Sequence, residues 1–466
     1  MRFIRILFLI VLCQVLSPLT WAQATLDFTK ARDEAVQRLQ ELIRIDTSNP
    51  PGNETKLAQY LKALLDKEGI TSEIIEKEPG RGNLLARIKG NGSKKPILLM
   101  GHADTVGVEK DKWTVPAFEG IIKDGYVYGR GAYDDKGGIT SMLQVFLMLH
   151  RQKVPLDRDV IFLAEAGEEA GGGVGIEYLI ESHWPKIEAE FALNEGAEIL
   201  MKDGKVRYVG VATAEKLVRR IKLTARGISG HGSMPRVDNP IVHLAAAVQK
   251  IGTYQPPLRF NDITRTFFER LAKVSPPDEA YLYSHLTDPE VGEIVQEKIR
   301  RTNTLYNSML RTSIAPTIIQ GGFRENVIPA DAEVIVDVRA LPDENMPEFI
   351  ENLRRMIDDP AVEITPLGDH KTVTPPSSIN TDLFRALENA QKKIFPEAVT
   401  LPMMLTGGTD SAPLRLKGVQ AYGIDPVVSE EEIARMHGND ERVSVEGIGK
   451  FVEVLYHAVV EVAARK

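Results

Sequence analysis

Apolar positions along the chain follow two periods. Residues 27–46 place Val36, Leu39, Leu42 and Ile43 at helical spacing, and a second stretch carries Leu57, Leu61, Leu64 and Leu65 before a stop near Gly69. Short apolar runs bounded by turn residues follow at 96–100, 160–164 and 191–193, with a helix over 139–149 between the first two. Each run is too short for an ordinary helix. Alternating with helical segments, they predict buried strands of an α/β sheet flanked by helices.

The middle of the chain changes character. Residues 217–225 read as a strand, 240–254 as a helix, and 313–319 and 333–341 as strands. A helix over 347–357 turns Phe349, Ile350, Leu353 and Met356 inward, and 362–365 form a last strand. That order, β-α-β-β-α-β, predicts an inserted α+β unit of the split-βαβ kind. Between its first helix and second strand lies an excess over 255–311, too long for an ordinary connection, whose periodicity predicts helices. Its aromatic residues Phe260, Phe267, Phe268, Tyr281 and Tyr283 suit packing within the lid or at a dimer seam, with cover for an apolar acyl chain as the alternative. After Pro375-Pro376 the chain returns to an α/β segment ending in a helix near 445–463.

The apolar runs share one regularity. Each ends in histidine or acidic residues: His102 and Asp104, then Glu168 and Glu169, then Glu195. In open α/β sheets the ligand crevice lies outside the carboxyl ends of the strands, so these clusters can converge. In Gly101-His102-Ala103-Asp104-Thr105 the aspartate can orient the imidazole for a metal, or the motif is a satisfied turn. In Gly129-Arg130-Gly131-Ala132-Tyr133-Asp134-Asp135-Lys136-Gly137-Gly138, Asp134 can bridge two cations or merely cap the next helix. In Glu165-Ala166-Gly167-Glu168-Glu169-Ala170-Gly171 one glutamate can ligate metal while the other stays free as a general base; a solvated acidic turn is the bland alternative. Glu195 and His437, the latter between Met436 and Gly438, complete the candidates, although a late histidine at a turn also suits a core role.

Composition narrows the choice. With 57 basic and 65 acidic residues, the chain lacks the basic excess that a nucleic-acid surface needs. Arg2 and Arg5 precede an apolar run over 6–16, and Ala22-Gln23-Ala24 supplies small residues for cleavage. The run is short for a membrane span, so 1–24 reads as a secretory signal peptide, and the product as secreted or periplasmic with no stable membrane span. The single cysteine, Cys13, leaves with that leader. Metal ligands in the mature chain are therefore His and carboxylate, a set suited to Zn²⁺ with Mn²⁺ or Co²⁺ as alternatives.

Taken together in this order, the motifs resemble those of the M20 metallopeptidases, a family of glutamate carboxypeptidases, aminoacylases, desuccinylases and carnosinase-like dipeptidases. The resemblance implies a two-zinc catalytic domain over 25–213 and 369–466, interrupted by a lid over 214–368 that often dimerises. It also implies roles. Asp134 bridges the metals, His102 and Glu195 complete one site, and Glu169 and His437 complete the other. Asp104 orients His102, and Glu168 is the general base on a metal-bridging water. His231, in Gly230-His231-Gly232-Ser233, resembles the histidine that donates to the developing oxyanion, often from the partner subunit. Asn326, in Glu325-Asn326-Val327-Ile328-Pro329, and Arg339, in Asp337-Val338-Arg339, resemble substrate contacts. Gly408 and Thr409, in Gly407-Gly408-Thr409-Asp410-Ser411, resemble the loop near the substrate's carboxylate. Arg339 is equally readable as a surface residue on a strand whose Val334, Val336 and Val338 face inward, and the glycine-rich loop as a plain turn.

The expected activity is hydrolysis of an amide in a small carboxylate-bearing substrate, a dipeptide or an N-acyl amino acid. The competing class is a family member that binds metal but has become a scaffold; every ligand and the base are present here. A phosphoesterase would need a basic phosphate cradle, and none accompanies the carboxylates.

Overall fold

In the computed structural model, which describes residues 26–368 and 373–465, the strand Ile97–His102 sends alternate side chains into two separate cores. Ile97 and Leu99 join one apolar cluster, Leu98 and Met100 another. Because both faces are covered, the run is continuously apolar rather than alternating. The first core is closed by the helices Phe28–Ile43, Lys136–Arg151 and Val445–Ala463, the second by Ile176–Ser182 and by Leu414 of Ser411–Leu416. Leu99, Phe146, Phe162 and Phe451 are almost fully enclosed, and each such side chain contributes about 1.5–3 kcal/mol. The leader read at 1–24, with Cys13, lies outside the described residues.

The sheet is mixed and ten-stranded among the described residues. Its centre is parallel: Ile97–His102 pairs with Val160–Glu165 on one side and Phe191–Asn194 on the other, with His102 opposite Glu165 and Leu99 opposite Leu193. The three polar clusters therefore leave the sheet at one edge. The sequence runs do not reveal the antiparallel pair Ser72–Glu76 and Gly82–Ile88, which extends the sheet beyond Val160–Glu165.

A second, five-stranded sheet contains Leu217–Val218, Asp331–Ala340, Arg220–Arg226, Val362–Leu367 and Ser313–Gly321. The helices Pro240–Thr253 and Met346–Ile357 pack on it through Leu244, Ala247, Ile251, Phe349, Ile350 and Leu353. The expected β-α-β-β-α-β order holds, with Val334, Val336 and Val338 buried; Ile357 takes the fully buried position, and Met356 is only partly enclosed.

The excess over 255–311 is helical, in Asp262–Lys273, Pro277–Ser284, Gly292–Thr302 and Thr304–Met309. Its aromatics pack on one another as expected, Phe260 and Phe267 against Phe268 and Phe268 against Tyr283, and also on the first sheet. Phe267, Phe268, Leu271, Val295, Ile299 and Tyr306 bury against Tyr208, Ala212, Leu401 and Met403 of the first sheet. The strand Lys205–Glu215 and its parallel neighbour Val399–Leu405 present an apolar face there, and the amphipathic helix Asp262–Lys273 covers it. No helix among the described residues is long and apolar enough to cross a membrane.

Candidate active site

His102 is the last residue of its strand, and Glu195 directly follows the neighbouring strand Phe191–Asn194. Glu168 and Glu169 occupy a single 3-10 turn reached through Gly167, whose φ of 80° is open to a residue without a side chain. Asp134 lies in the turn before the helix Lys136–Arg151, and His437 has a φ of 58°, a left-handed conformation uncommon for residues other than glycine.

These residues meet. His102 Nε2 lies 2.8 Å from Asp134 Oδ1 and 3.4 Å from Glu195 Oε2. His437 Nε2 lies 2.9 Å from Asp134 Oδ2 and 3.2 Å from Glu169 Oε1. The two oxygens of Asp134 thus face two different imidazoles, and the atoms form two ligand-like groups, His102–Asp134–Glu195 and Asp134–Glu169–His437, each within a 4.8 Å span.

The charge balance shows what this arrangement fits. Among the described residues, these two imidazoles are the only cationic side chains within ion-pair distance of Asp134, Glu169 and Glu195. Burial disfavours the charged form of His102, but Glu195, Asp104 and Asp134 outweigh it and hold its pKa well above the ordinary range. Burial would raise Asp134, yet His102 and His437 hold its carboxyl well below the usual range. Hydrogen bonds to Asp134 and Glu169 lift His437 to about 10. Burial pushes Glu168 up to about 9, and the charges of Glu195, Asp410 and Glu169 act in the same direction, against His102. Such an excess of carboxylate around neutralisable imidazoles is the donor set that divalent cations compensate.

Asp104 plays a wider part than its spacing predicts. His102 Nδ1 sits 3.0 Å from the Asp104 carbonyl oxygen and 3.5 Å from its carboxylate. The carboxylate itself accepts from the backbone N–H of Gly167 at 3.0 Å, the N–H of Glu168 at 3.1 Å and Asn49 Nδ2 at 2.7 Å. It therefore fixes the turn that carries Glu168 as well as the histidine.

The remaining candidates belong to neither ligand group. His231 is exposed on a two-stranded ribbon, Gly230–His231 against Val327–Ile328, where the Asn326 carbonyl accepts from Gly232 N–H at 2.8 Å. Arg339 donates through Nε to Asp337 Oδ2 at 2.8 Å. Gly408 and Thr409 do reach Glu168, across a cleft of about 620 Å³ that they line together. Thr409, however, donates both its N–H and its hydroxyl to Glu215, each at 2.9 Å, so those donors already have a carboxylate. Glu215 is held in turn by the buried Arg415 at 2.7 Å.

Sequence reasoning missed several supporting residues. Glu441, fully buried, accepts from Tyr133 N–H at 2.9 Å, Asp134 N–H at 3.1 Å and Gly131 N–H at 3.1 Å. Glu165 and Asp410 are buried as well. Neither Glu165 oxygen, nor Asp410 Oδ2, has a donor among the described residues; burial raises Glu165 well above its ordinary range and Asp410 to about 7. The acidic character of these residues was visible, but nothing in their spacing pairs them.

Comparison with known proteins decides the family. The profile described as peptidase family M20/M25/M40 matches residues 98–461. The chain belongs to that family. This M20 chain is 31% identical over 378 residues to a probable carboxypeptidase S-like 2 of Dictyostelium discoideum, covering 79% of this chain and 72% of that one. It is 28% identical over 448 residues to the N-fatty-acyl-amino acid synthase/hydrolase PM20D1 of Homo sapiens, covering 92% and 87%. Among solved structures, the M20 family metallo-carboxypeptidase Sso-CP2 of Sulfolobus solfataricus shares the fold, with a TM-score of 0.69 at 21% identity over 92% of this chain and 99% of that one. The M20 chain is thus a member of a metallopeptidase family, with the mixed catalytic sheet and the second α+β unit of that fold.

Proposed function

We propose that this M20 enzyme is an exported two-metal hydrolase that cleaves the amide bond of a small carboxylate-bearing substrate, a dipeptide or an N-acyl amino acid. The observation that carries the reading is the placement of Asp134, whose two oxygens each meet a different imidazole within hydrogen-bond distance. His102, Asp134 and Glu195 would hold one ion, and Asp134, Glu169 and His437 the other. Zinc is the ion that this His and carboxylate set favours, with Mn²⁺ or Co²⁺ as alternatives. When bound, the ions supply a lowered water pKa and polarisation of the scissile carbonyl.

The chain's own groups do the rest. Glu168 lines the cleft without belonging to either ligand group, so its carboxylate is free to take the attacking water's proton and return it to the departing amine. Asp104 keeps the Glu168 turn and the His102 ring in register. Gly408 and Thr409 form the wall opposite Glu168 and touch the substrate there. Arg339 would take the substrate's carboxylate, a guanidinium being able to bind both oxygens.

We read 25–213 with 369–466 as the catalytic domain and 214–368 as the lid. His231 and Asn326, together on their exposed ribbon and outside both ligand groups, would act in the site of a second copy, His231 donating to the oxyanion. An apolar surface supports pairing through the lid. Ile241 and Val242 on Pro240–Thr253, Ile318 and Ile319 on the edge strand Ser313–Gly321, and the neighbouring Phe323 are all exposed. Export is supported by the leader pattern at 1–24, and the names of two relatives support peptide and N-acyl amino acid substrates. Metal content of the purified chain, measured together with turnover of dipeptides and N-acyl amino acids, tests the proposal. Protein that neither holds nor recruits two divalent ions per chain would end it.

A further inference from the structure

The two faces of the second sheet differ in charge. Ile221, Val336 and Val338 bury beneath the helices Pro240–Thr253 and Met346–Ile357. Side chains alternate along a strand, so Arg220, Asp337 and Arg339 stand on the opposite face. Arg220 is the cross-strand partner of Leu367, and Arg339 that of Val218. Val218, Arg220 and Leu367 line the cleft together with Glu168, Thr409 and Asp410. The helix-free face of the second sheet is therefore a wall of the candidate active site.

The cations along this wall are committed to different degrees. Lys216 Nζ donates to Ser308 O at 2.7 Å and to Ser313 Oγ at 3.0 Å. Arg219 is buried and donates to the Val218 carbonyl at 3.3 Å. Lys222 has Glu333 at 2.9 Å. Arg220 differs from all three. Its side chain is 61% exposed, and its paired acid, Asp337, lies 3.7 Å away, beyond hydrogen-bond reach. Asp337 accepts instead from Arg339, through Oδ2 at 2.8 Å, and its Oδ1 has no hydrogen-bond partner among the described residues. Two guanidiniums thus share one carboxylate. One positive charge on the wall is left without a counter-charge, and the fork of Arg220 is open to the cleft.

We infer that Arg220 is a specificity-determining residue, the group on the cleft wall that receives the substrate's free carboxylate. The inference rests on the reading of the chain as an amide hydrolase, and it adds a second guanidinium to Arg339, whose Nε is already taken. The planar fork of Arg220 can hold both oxygens of a carboxylate. Val218 and Leu367 flank it, and apolar flanks keep water away and strengthen the pairing. Asp337 acts as a positioning residue, keeping Arg339 beside Arg220. A carboxylate anchored there keeps the charged end of the substrate on the second sheet and leaves the amide for the Glu168 end of the cleft.

The test compares N-acetylmethionine with N-acetylmethioninamide, which lacks only the charge, on metal-loaded enzyme. The parent chain should prefer the carboxylate. In Arg220→Ala the ratio of kcat/KM, carboxylate over carboxamide, should fall about tenfold, with the loss in KM and little change in kcat. Arg220→Lys, which keeps the charge but not the fork, should recover part of it. A ratio that Arg220→Ala leaves at the parent value overturns the assignment. Calorimetric binding of both compounds to metal-loaded Glu168→Gln protein reads the same contact without turnover. Binding of the carboxylate that weakens about tenfold when Arg220→Ala is added, with the carboxamide unmoved, sustains Arg220 even if the parent hydrolyses neither compound. That outcome would count against the hydrolase reading alone. Equal binding of the two compounds, or none, overturns the role of Arg220.

Discussion

Arg130 and Glu441 form an ion pair 2.6 Å long that is shut off from solvent on both sides. Glu441 holds the backbone of the Asp134 turn, while Arg130 Nη2 donates to the Gly438 carbonyl at 2.7 Å and to that of His437 at 3.3 Å. One buried pair therefore sets the separation of the two loops that bring Asp134 and His437 together.

Removing that carboxylate should loosen both loops at once. Glu441→Ala is expected to weaken metal binding about 10- to 100-fold, as loss of a group behind a ligand typically does. It should also lower stability by about 3–5 kcal/mol, since the Arg130 charge is left buried without its partner. Metal titration and denaturant unfolding check the two effects. Unchanged affinity would mean that the loops hold their geometry without Glu441.

Glu168→Gln keeps the shape of the side chain and removes its ability to carry a proton. Turnover is expected to fall by about 10²–10⁴, while bound metal, measured by elemental analysis, stays at the parent level. Loss of metal together with activity would make Glu168 a ligand instead of a base.

The pH dependence of metal binding follows from His437, whose pKa is lifted to about 10 in the metal-free chain. Below that value the free imidazole carries a proton, and an ion can bind only after displacing it. Affinity should therefore drop as pH falls, by about tenfold per unit for one displaced proton, or about a hundredfold between pH 8 and pH 6. Calorimetry in buffers of differing ionisation enthalpy would register the released proton. A flat profile over that window would show that His437 does not ligate.

The edge strand Ser313–Gly321 pairs on one side with Asp331–Ala340, and Ile319 on it is 63% exposed. Ile319→Glu places a charge on this apolar face, so a chain that sediments as a dimer should become monomeric and lose most of its turnover as the partner's His231 is withdrawn. A parent chain already monomeric and fully active would remove His231 from the reaction.

Much of this site was legible in the sequence because strand ends announce themselves. Apolar runs terminate at His102, Glu165 and Asn194, so the polar residues that follow had to emerge at one edge once the strands were parallel. The second sheet was legible for a similar reason, its alternation at Val334, Val336 and Val338 being intact. Orientation was harder to read. The periodicity of 262–273 shows an amphipathic helix but not which sheet receives its apolar side, and the first sheet does. Glu441 was unreadable because it acts through backbone N–H groups, which leave no trace in side-chain spacing. The occupation of Thr409 by Glu215 joins residues 194 positions apart, and no local pattern reports such a pairing.

The docking of 255–311 on the first sheet has a mechanical consequence. The chain passes to the second sheet after Glu215, comes back before Asp262, goes out again at Ser313 and finally departs after Leu367. A flap attached by two passes could swing freely about a single axis. Four passes make a braced joint, with the helices of 255–311 buried against the first sheet between the outward passes.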